Sequence, residues 1–357
     1  MYELDRNFGC RISDAWTLKG LKTVVMENEL LRITILADKG SDVYEFLYKP
    51  MDIDFMWRTP FGLRNPNVGH ASRGGESGPF LDYYEGGWQE ILPSGGAPCE
   101  YAGVQYGQHG EVSNLPWDVQ IIKDEPEIVS CELKVRALRV PLVLKKTLTL
   151  HRGDAKLYID EILINESPEE IHLMWGHHLT FGEPFLDAEC RLDTPAKKIL
   201  IHPEGYSDNH RFEPGASFNW PDAKTENGED VSFHDMPSRA KHSEDMSYLL
   251  DLQEPWYALT HTRKQVGFGL RWSHDIFKYL WYWQVFGGGA GYPWYGRTWN
   301  IGLEPWTSMP TNGLAEAVKQ GTHMVLKPHQ IVEASMLAVV YTGKSRVNSF
   351  SEDGEIG

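Results

Sequence analysis

Three separated segments of the sequence carry side chains suited to moving protons. The first runs Glu85-Gly86-Gly87-Trp88-Gln89-Glu90 to Gly95-Gly96 and continues at Gly107-Gln108-His109-Gly110-Glu111. Its glycine pairs serve either as simple turns or to let backbone approach a ligand closely. The second is Trp175-Gly176-His177-His178-Leu179-Thr180-Phe181-Gly182-Glu183-Pro184. On a strand, two adjacent histidines point to opposite faces, so only one of His177 and His178 can look into a given hollow. A chelating pair on one strand would instead read His-x-His. A single imidazole, with an ordinary pKa of about 6.5, suits a general acid or base, or else a hydrogen-bonded structural role. The third is Trp299-Asn300-Ile301-Gly302-Leu303-Glu304-Pro305-Trp306. Here Glu304 precedes a proline, which predicts a strand end where a carboxylate meets a cleft. An ordinary surface glutamate is the bland alternative.

Nine tryptophans and tyrosines, Trp281 and Trp306 among them, lie between positions 279 and 306. Flat aromatic faces with polar rims suit the mixed apolar and hydroxylated faces of a sugar ring, while some of these rings must also fill a core. No dinucleotide fingerprint, phosphate-binding loop, nucleophile elbow or His-Glu-x-x-His motif is present.

The elements that must position these groups are strands. Apolar and charged residues alternate in Glu132–Ala137, Leu157–Leu163 and Val332–Val340, the last being apolar on both faces at its centre and therefore interior. Further strands are predicted over 30–37, 43–48, 171–181, 246–252, 256–262, 266–272, 279–286 and 299–304. Hairpins are predicted at Arg152-Gly153-Asp154 and Thr262–Gln265. One helix is predicted over 313–319, between Asn312 and Gly321. Consecutive hairpin-linked strands without interleaved helices define an antiparallel all-β protein, a large sandwich. The Gly- and Pro-rich stretch 58–115 reads as a long functional loop, and the polar, proline-bearing stretch 203–245 as a second loop. No linker interrupts the chain, which predicts one domain over 1–357, with the acidic end, 345–357, frayed.

Composition narrows the partners. With 34 basic and 50 acidic side chains the net charge is 34 − 50 = −16. Such a surface repels nucleic acid and anionic lipid. No apolar run approaches the roughly 20 residues that span a bilayer, and the start, Met-Tyr-Glu-Leu-Asp-Arg, lacks the features of a secretory signal. Four scattered cysteines, Cys10, Cys99, Cys131 and Cys190, read as reduced thiols of a cytoplasmic protein. A monomer or, through an exposed edge strand, a homodimer is expected.

In this order the segments resemble the aldose 1-epimerase (galactose mutarotase-like) superfamily. The matching features are Gly86-Gly87-Trp88, His109-Gly110, His178 and Glu304-Pro305, with opening strands similar to Leu30–Leu36 and Asp38–Val43. Together they span about residues 25–345. His178 is chosen over His177 because the family's second histidine lies three residues before an aromatic, here Phe181. The resemblance implies a β-supersandwich of about thirty strands and an isomerase of carbohydrate metabolism that interconverts the α and β anomers of a sugar. It implies no cofactor and no metal. The family's Asn-Arg pair and Asn-His-Ser-Tyr-Phe motif are not intact here, which turns the reading away from galactose itself; Arg64-Asn65 reverses the pair.

On that resemblance Glu304 is the base that takes the anomeric proton, and a protonated His178 is the acid that gives one to the ring oxygen. His109 orients the sugar. Mutual attraction is expected to keep Glu304 ionised and His178 protonated across neutral pH. Trp88, Gln89, His177, Trp281 and Trp306 are candidate substrate contacts. Arg73 and Arg297, with Arg271, are the candidates to grip a phosphorylated or sulfonated sugar. Two rivals stand beside this reading: a sugar-binding module without catalysis, and a metal-dependent isomerase or lyase using His109, His178 and a carboxylate.

Overall fold

The computed structural model describes residues 6–68, 77–238 and 240–357. Twenty-six strands, all paired antiparallel, are present among the described residues. Twelve form one sheet and eight another. In the larger sheet the central order is Asp42–Tyr48, Trp88–Ile91, Gly176–Gly182, Trp299–Trp306, Tyr279–Phe286 and Ser243–Leu250. The smaller one holds the alternating strands Ile128–Arg136, Leu142–His151 and Lys156–Asn165 beside Ile331–Thr342 and Val266–Trp272. The two sheets meet face to face through a continuous apolar core. Phe46 and Phe181 of the large sheet each lie 5.2 Å, centroid to centroid, from Phe268 of the small one.

The period-two pattern predicts the long interior strands, but not the opening hairpin Arg11–Leu18 with Leu21–Glu27 or the short strands between Cys99 and Tyr106 and between Cys190 and Ser232. Tyr279–Phe286 and Val266–Trp272 match their predicted ranges, both hairpins form, and Ile331–Thr342 is an interior strand. The one predicted helix forms as Leu314–Gln320, closed by Gly321 in the left-handed region. Three expectations change. The segment 171–181 is broken into Ile171–Leu173 and Gly176–Gly182. Glu304 is not at a strand end, because the strand continues through Pro305 to Trp306. Pro305 has no N–H to give, and the ladder towards Gly176–Gly182 is interrupted there, holding at Gly176↔Trp306 and again from Thr180↔Gly302. Nor is the end of the chain frayed: Phe350 is fully buried, bridges to Ile356, and packs with Trp256 and Tyr341.

The strands at the centre of the large sheet are buried on both faces. One face meets the small sheet. The other is roofed by segments from 77–115 and around 206 and 294, and between roof and sheet lies a cavity. The buried Lys39 ammonium anchors the roof's base, 2.7 Å from both Asp42 and Glu85. Gly86 and Gly87 follow Glu85 with φ of +87° and +82°. A Cβ on Gly86 would lie 2.2 Å from the Trp57 carbonyl oxygen. These glycines therefore approach the protein's own backbone and serve the turn.

Candidate active site

Strand register builds the floor of the cavity. Tyr248 pairs with Trp281, and Trp281 with Glu304. The pairs Gly176↔Trp306 and Thr180↔Gly302 leave His178 across from Glu304, and His178 pairs with Gln89. Because paired residues share a face, one row crosses five strands with the acid and the imidazole side by side at its centre. His178 Nε2 lies 3.6 Å from Glu304 Oε1.

The cavity is lined by His178, Glu304, His109, Trp281, Trp283 and Tyr84, with Phe80, Gln108, Tyr206 and Trp294 completing the walls. Its volume is about 130 Å³, on the scale of the roughly 150 Å³ that holds one six-membered ring. Tyr206, 38% exposed, marks its mouth. A larger groove of about 430 Å³ lies between residues 209 and 243. Several of its charged groups are already paired, His210 with Glu226, Lys241 with Glu229 and Arg211 with Asp245. The smaller hollow, with an aromatic wall and convergent titratable groups, is the better candidate.

Each central group is held. Trp306 Nε1 donates to Glu304 Oε2 at 3.0 Å, which leaves Oε1 for His178 and the cavity. Trp306 stacks on Trp281 at 4.1 Å, and that ring is fixed by its own N–H donating to the Ser308 carbonyl. Small residues make room: a Cβ on Gly176 would come within 2.2 Å of the Trp306 ring, and one on Gly302 within 2.5 Å of Glu304 Oε1. His109 Nδ1 accepts the Gly96 backbone N–H at 3.2 Å. Burial, with His178 beside it, pushes the His109 pKa down and keeps the ring neutral, so its one proton sits on Nε2 as a donor.

Burial also sets the charge of the central pair, and this reverses the sequence expectation. Desolvation raises the Glu304 carboxyl to about 8, partly offset by the Trp306 hydrogen bond. It lowers the His178 imidazole to about 3. Mutual attraction across 3.6 Å is outweighed by the loss of water around both charged forms. At neutral pH the pair shares one proton without formal charge.

The structure brings Glu304, His178, His109 and Trp281 to the cavity and places Trp306 directly behind them. Other candidates stand elsewhere. Trp88 and His177 point to the opposite face, where Trp88 Nε1 donates to His177 Nδ1 at 3.0 Å, because odd positions of Gly176–Gly182 face the small sheet and Trp88 pairs with one of them, Leu179. Gln89 shares the face of His178, but its amide turns back to the Gly86 carbonyl. Arg297 is exposed and lies over the Phe61 ring, 5.3 Å from its centre. Arg271 pairs with Glu254 on the far side of the sandwich. Arg64 donates to the Asp82 carbonyl, and Arg73 lies outside the described residues. Sequence reasoning did not find Tyr84, Phe80 or Tyr206. Phe80 lies in the one-turn helix Gly78–Leu81 and Tyr84 and Tyr206 in loops, where no periodicity marks them; only the length of the surrounding irregular stretches pointed there.

Among the described residues one group has metal-ligand proximity: Glu90, Glu161 and His177, with donor atoms within 4.8 Å of one another. It is not the set His109, His178 and Glu304. The indole N–H of Trp88 occupies His177 Nδ1, so neutral His177 carries its proton on Nε2, directed at Glu161 Oε2 at 3.1 Å. Lys146 already supplies a cation 3.5 Å from Glu90. The donors fit a buried ion network bracing the two sheets better than a metal centre.

The fold is that of the galactose mutarotase-like β-sandwiches, and its central sheet presents an acid beside an imidazole. Solved structures share the fold. A protein of Klebsiella pneumoniae provisionally described as an aldose 1-epimerase matches with TM-score 0.70 and 15% identity, over 94% of this chain and 83% of its own. A galactose mutarotase-like protein of Clostridium acetobutylicum matches with TM-score 0.64 and 17% identity, over 94% and 99%. A galactose mutarotase related enzyme of Lactobacillus acidophilus matches with TM-score 0.59 and 15% identity, over 92% and 100%. No curated protein matches the chain. The chain belongs to the family described as "Domain of unknown function (DUF4432)", whose model matches residues 18–339.

Proposed function

We propose that this protein is an isomerase of the aldose 1-epimerase type, interconverting the α and β anomers of a compact monosaccharide. The observation that carries the reading is the pairing of His178 Nε2 and Glu304 Oε1 at 3.6 Å in an aromatic-walled hollow of single-ring size. Ring opening needs one proton taken from the anomeric hydroxyl and one given to the ring oxygen. A pair that shares one proton meets both needs and is restored when the ring closes on the other face. The Nε2–H of His109 supplies a donor to a sugar oxygen, and Trp281 and Trp283 offer flat faces to the ring. Among the described residues no lysine or arginine lines the hollow, which favours a neutral sugar over a phosphorylated one. The resemblance of fold to mutarotase-like structures supports the same chemistry.

The test is anomer exchange followed by polarimetry or NMR over a panel of aldoses and modified sugars. Faster exchange of at least one neutral sugar is expected. Saturable binding without acceleration of any of them would make the protein a sugar-binding module instead.

A further inference from the structure

Tyr84, in the cavity wall, and Thr180, behind it, hold the far side of His178. Tyr84 Oη lies 3.3 Å from His178 Nδ1 and 3.1 Å from Thr180 Oγ1, and Thr180 Oγ1 lies 2.9 Å from the Gly87 carbonyl oxygen. All three side chains are buried: Tyr84 is 3% exposed, Thr180 0% and His178 5%. The directions of these bonds are not free. A carbonyl oxygen only accepts, so the single hydroxyl proton of Thr180 goes to Gly87. Thr180 must then accept from Tyr84, which spends the phenol proton. Tyr84 Oη can meet His178 only as an acceptor, and the imidazole must therefore supply an N–H from Nδ1.

We propose that Thr180 and Tyr84 are positioning residues that fix the tautomer of His178. They place the proton of the neutral ring on Nδ1 and leave Nε2 as an acceptor towards Glu304, which fits His178 to start the cycle as the base with Glu304 as the acid. This deepens the anomer-exchange reading and rests on it for the chemical step. The opposite hydrogen-bond setting of His109, whose Nδ1 accepts and whose Nε2 donates, gives the two neighbouring rings complementary roles. Trp306 occupies Glu304 Oε2 and so directs the carboxyl proton to Oε1, the atom that faces His178.

The step balances as follows. The anomeric O–H gives its proton to His178 Nε2, and its electron pair forms the C1=O bond. The bond between C1 and the ring oxygen breaks, and its pair stays on that oxygen, which takes the proton of Glu304. The open-chain aldehyde then faces an imidazolium and a carboxylate, and closure on the other face of C1 returns both protons.

Full-length protein with ¹⁵N-labelled histidine tests the tautomer directly, with His178 assigned from the signal lost in His178→Asn. The expected spectrum at neutral pH shows a neutral His178 ring protonated at Nδ1 only. In Thr180→Val, Tyr84 loses its acceptor and turns its proton to His178, so the ring proton is expected to move to Nε2. Turnover should fall about five- to tenfold, the worth of one hydrogen bond, with KM nearly unchanged. Thr180→Ser should restore the Nδ1 tautomer and the rate. If Thr180→Val does not fold, Tyr84→Phe serves: it removes the acceptor and should give a mixture of both tautomers. An imidazolium or an Nε2–H ring in the unaltered protein, or no tautomer change in the folded variant, overturns the proposal. Anomer exchange measured on the same samples separates the two readings. An Nδ1–H ring without exchange of any sugar sinks the enzyme and leaves the hydrogen-bond chain, whereas exchange with an imidazolium sinks only the chain.

Discussion

The imidazole of His178 and the carboxyl of Glu304 stand on adjacent antiparallel strands with Nε2 3.6 Å from Oε1. That gap is too long for a direct hydrogen bond and leaves the two groups free to engage a hydroxyl between them. If the pair performs the proton transfers, Glu304→Gln and His178→Asn should each slow anomer exchange by about 10²–10⁴-fold. Both variants should keep a cooperative thermal transition. Turnover like that of the unaltered protein in either one would remove that residue from the chemistry.

The proton count of the pair sets the pH dependence. With Glu304 near 8 and His178 near 3, the pair holds one proton throughout the intervening range. Catalysis should therefore be flat near neutrality and fall as pH rises through about 8, when Glu304 loses the proton it must donate. Folding stability follows the same shifts. Glu304 binds its proton more tightly folded than unfolded, so its contribution is full below the ordinary carboxyl pKa and is lost as pH rises towards 8. His178 has the opposite sense, costing stability as pH falls below about 6.5. Glu304→Gln should thus raise the melting temperature at pH 8 by more than at pH 5, by roughly 1 °C for each kcal/mol relieved. A difference independent of pH would contradict the buried, proton-retaining carboxyl.

Gly302 tests how closely the carboxyl is placed. A methyl group there would sit 2.5 Å from Glu304 Oε1 and must push the carboxyl aside. Gly302→Ala is expected to lower turnover by about 10²-fold, the cost of an ångström-scale misplacement, with little change in unfolding. An unchanged rate would mean that the carboxyl position is not critical.

Trp306 connects the aromatic wall to the acid. Trp306→Phe keeps a ring against Trp281 but removes the N–H that Glu304 Oε2 accepts. That bond lowers the Glu304 pKa, so its loss should raise it further, moving the alkaline limb of the rate profile up by about one pH unit. A limb that stays in place would show that another group titrates there.

Many of the strands, the two hairpins and the antiparallel class were legible in the sequence because period-two alternation is a local consequence of one buried face per strand. It also limited the chemistry to one of two adjacent histidines and marked Glu304. Tertiary structure decided the rest. Which face of Gly176–Gly182 looks into the cavity follows from what lies on each side: Glu161 of the partner sheet and Glu90 of the neighbouring strand receive His177, and His178 is left opposite Glu304. Trp88 and Gln89 were read as contacts because they border the glycine pairs, but a side chain's target depends on what packs above and below the strand. Tyr84 and Thr180 act through hydrogen bonds to residues 94 and 93 positions away, Tyr84 to His178 and Thr180 to Gly87, and no spacing rule reaches that far. The charge of the acid–base pair was the least legible of all, because desolvation depends on how completely water is excluded. That is a property of the closed cavity rather than of either residue.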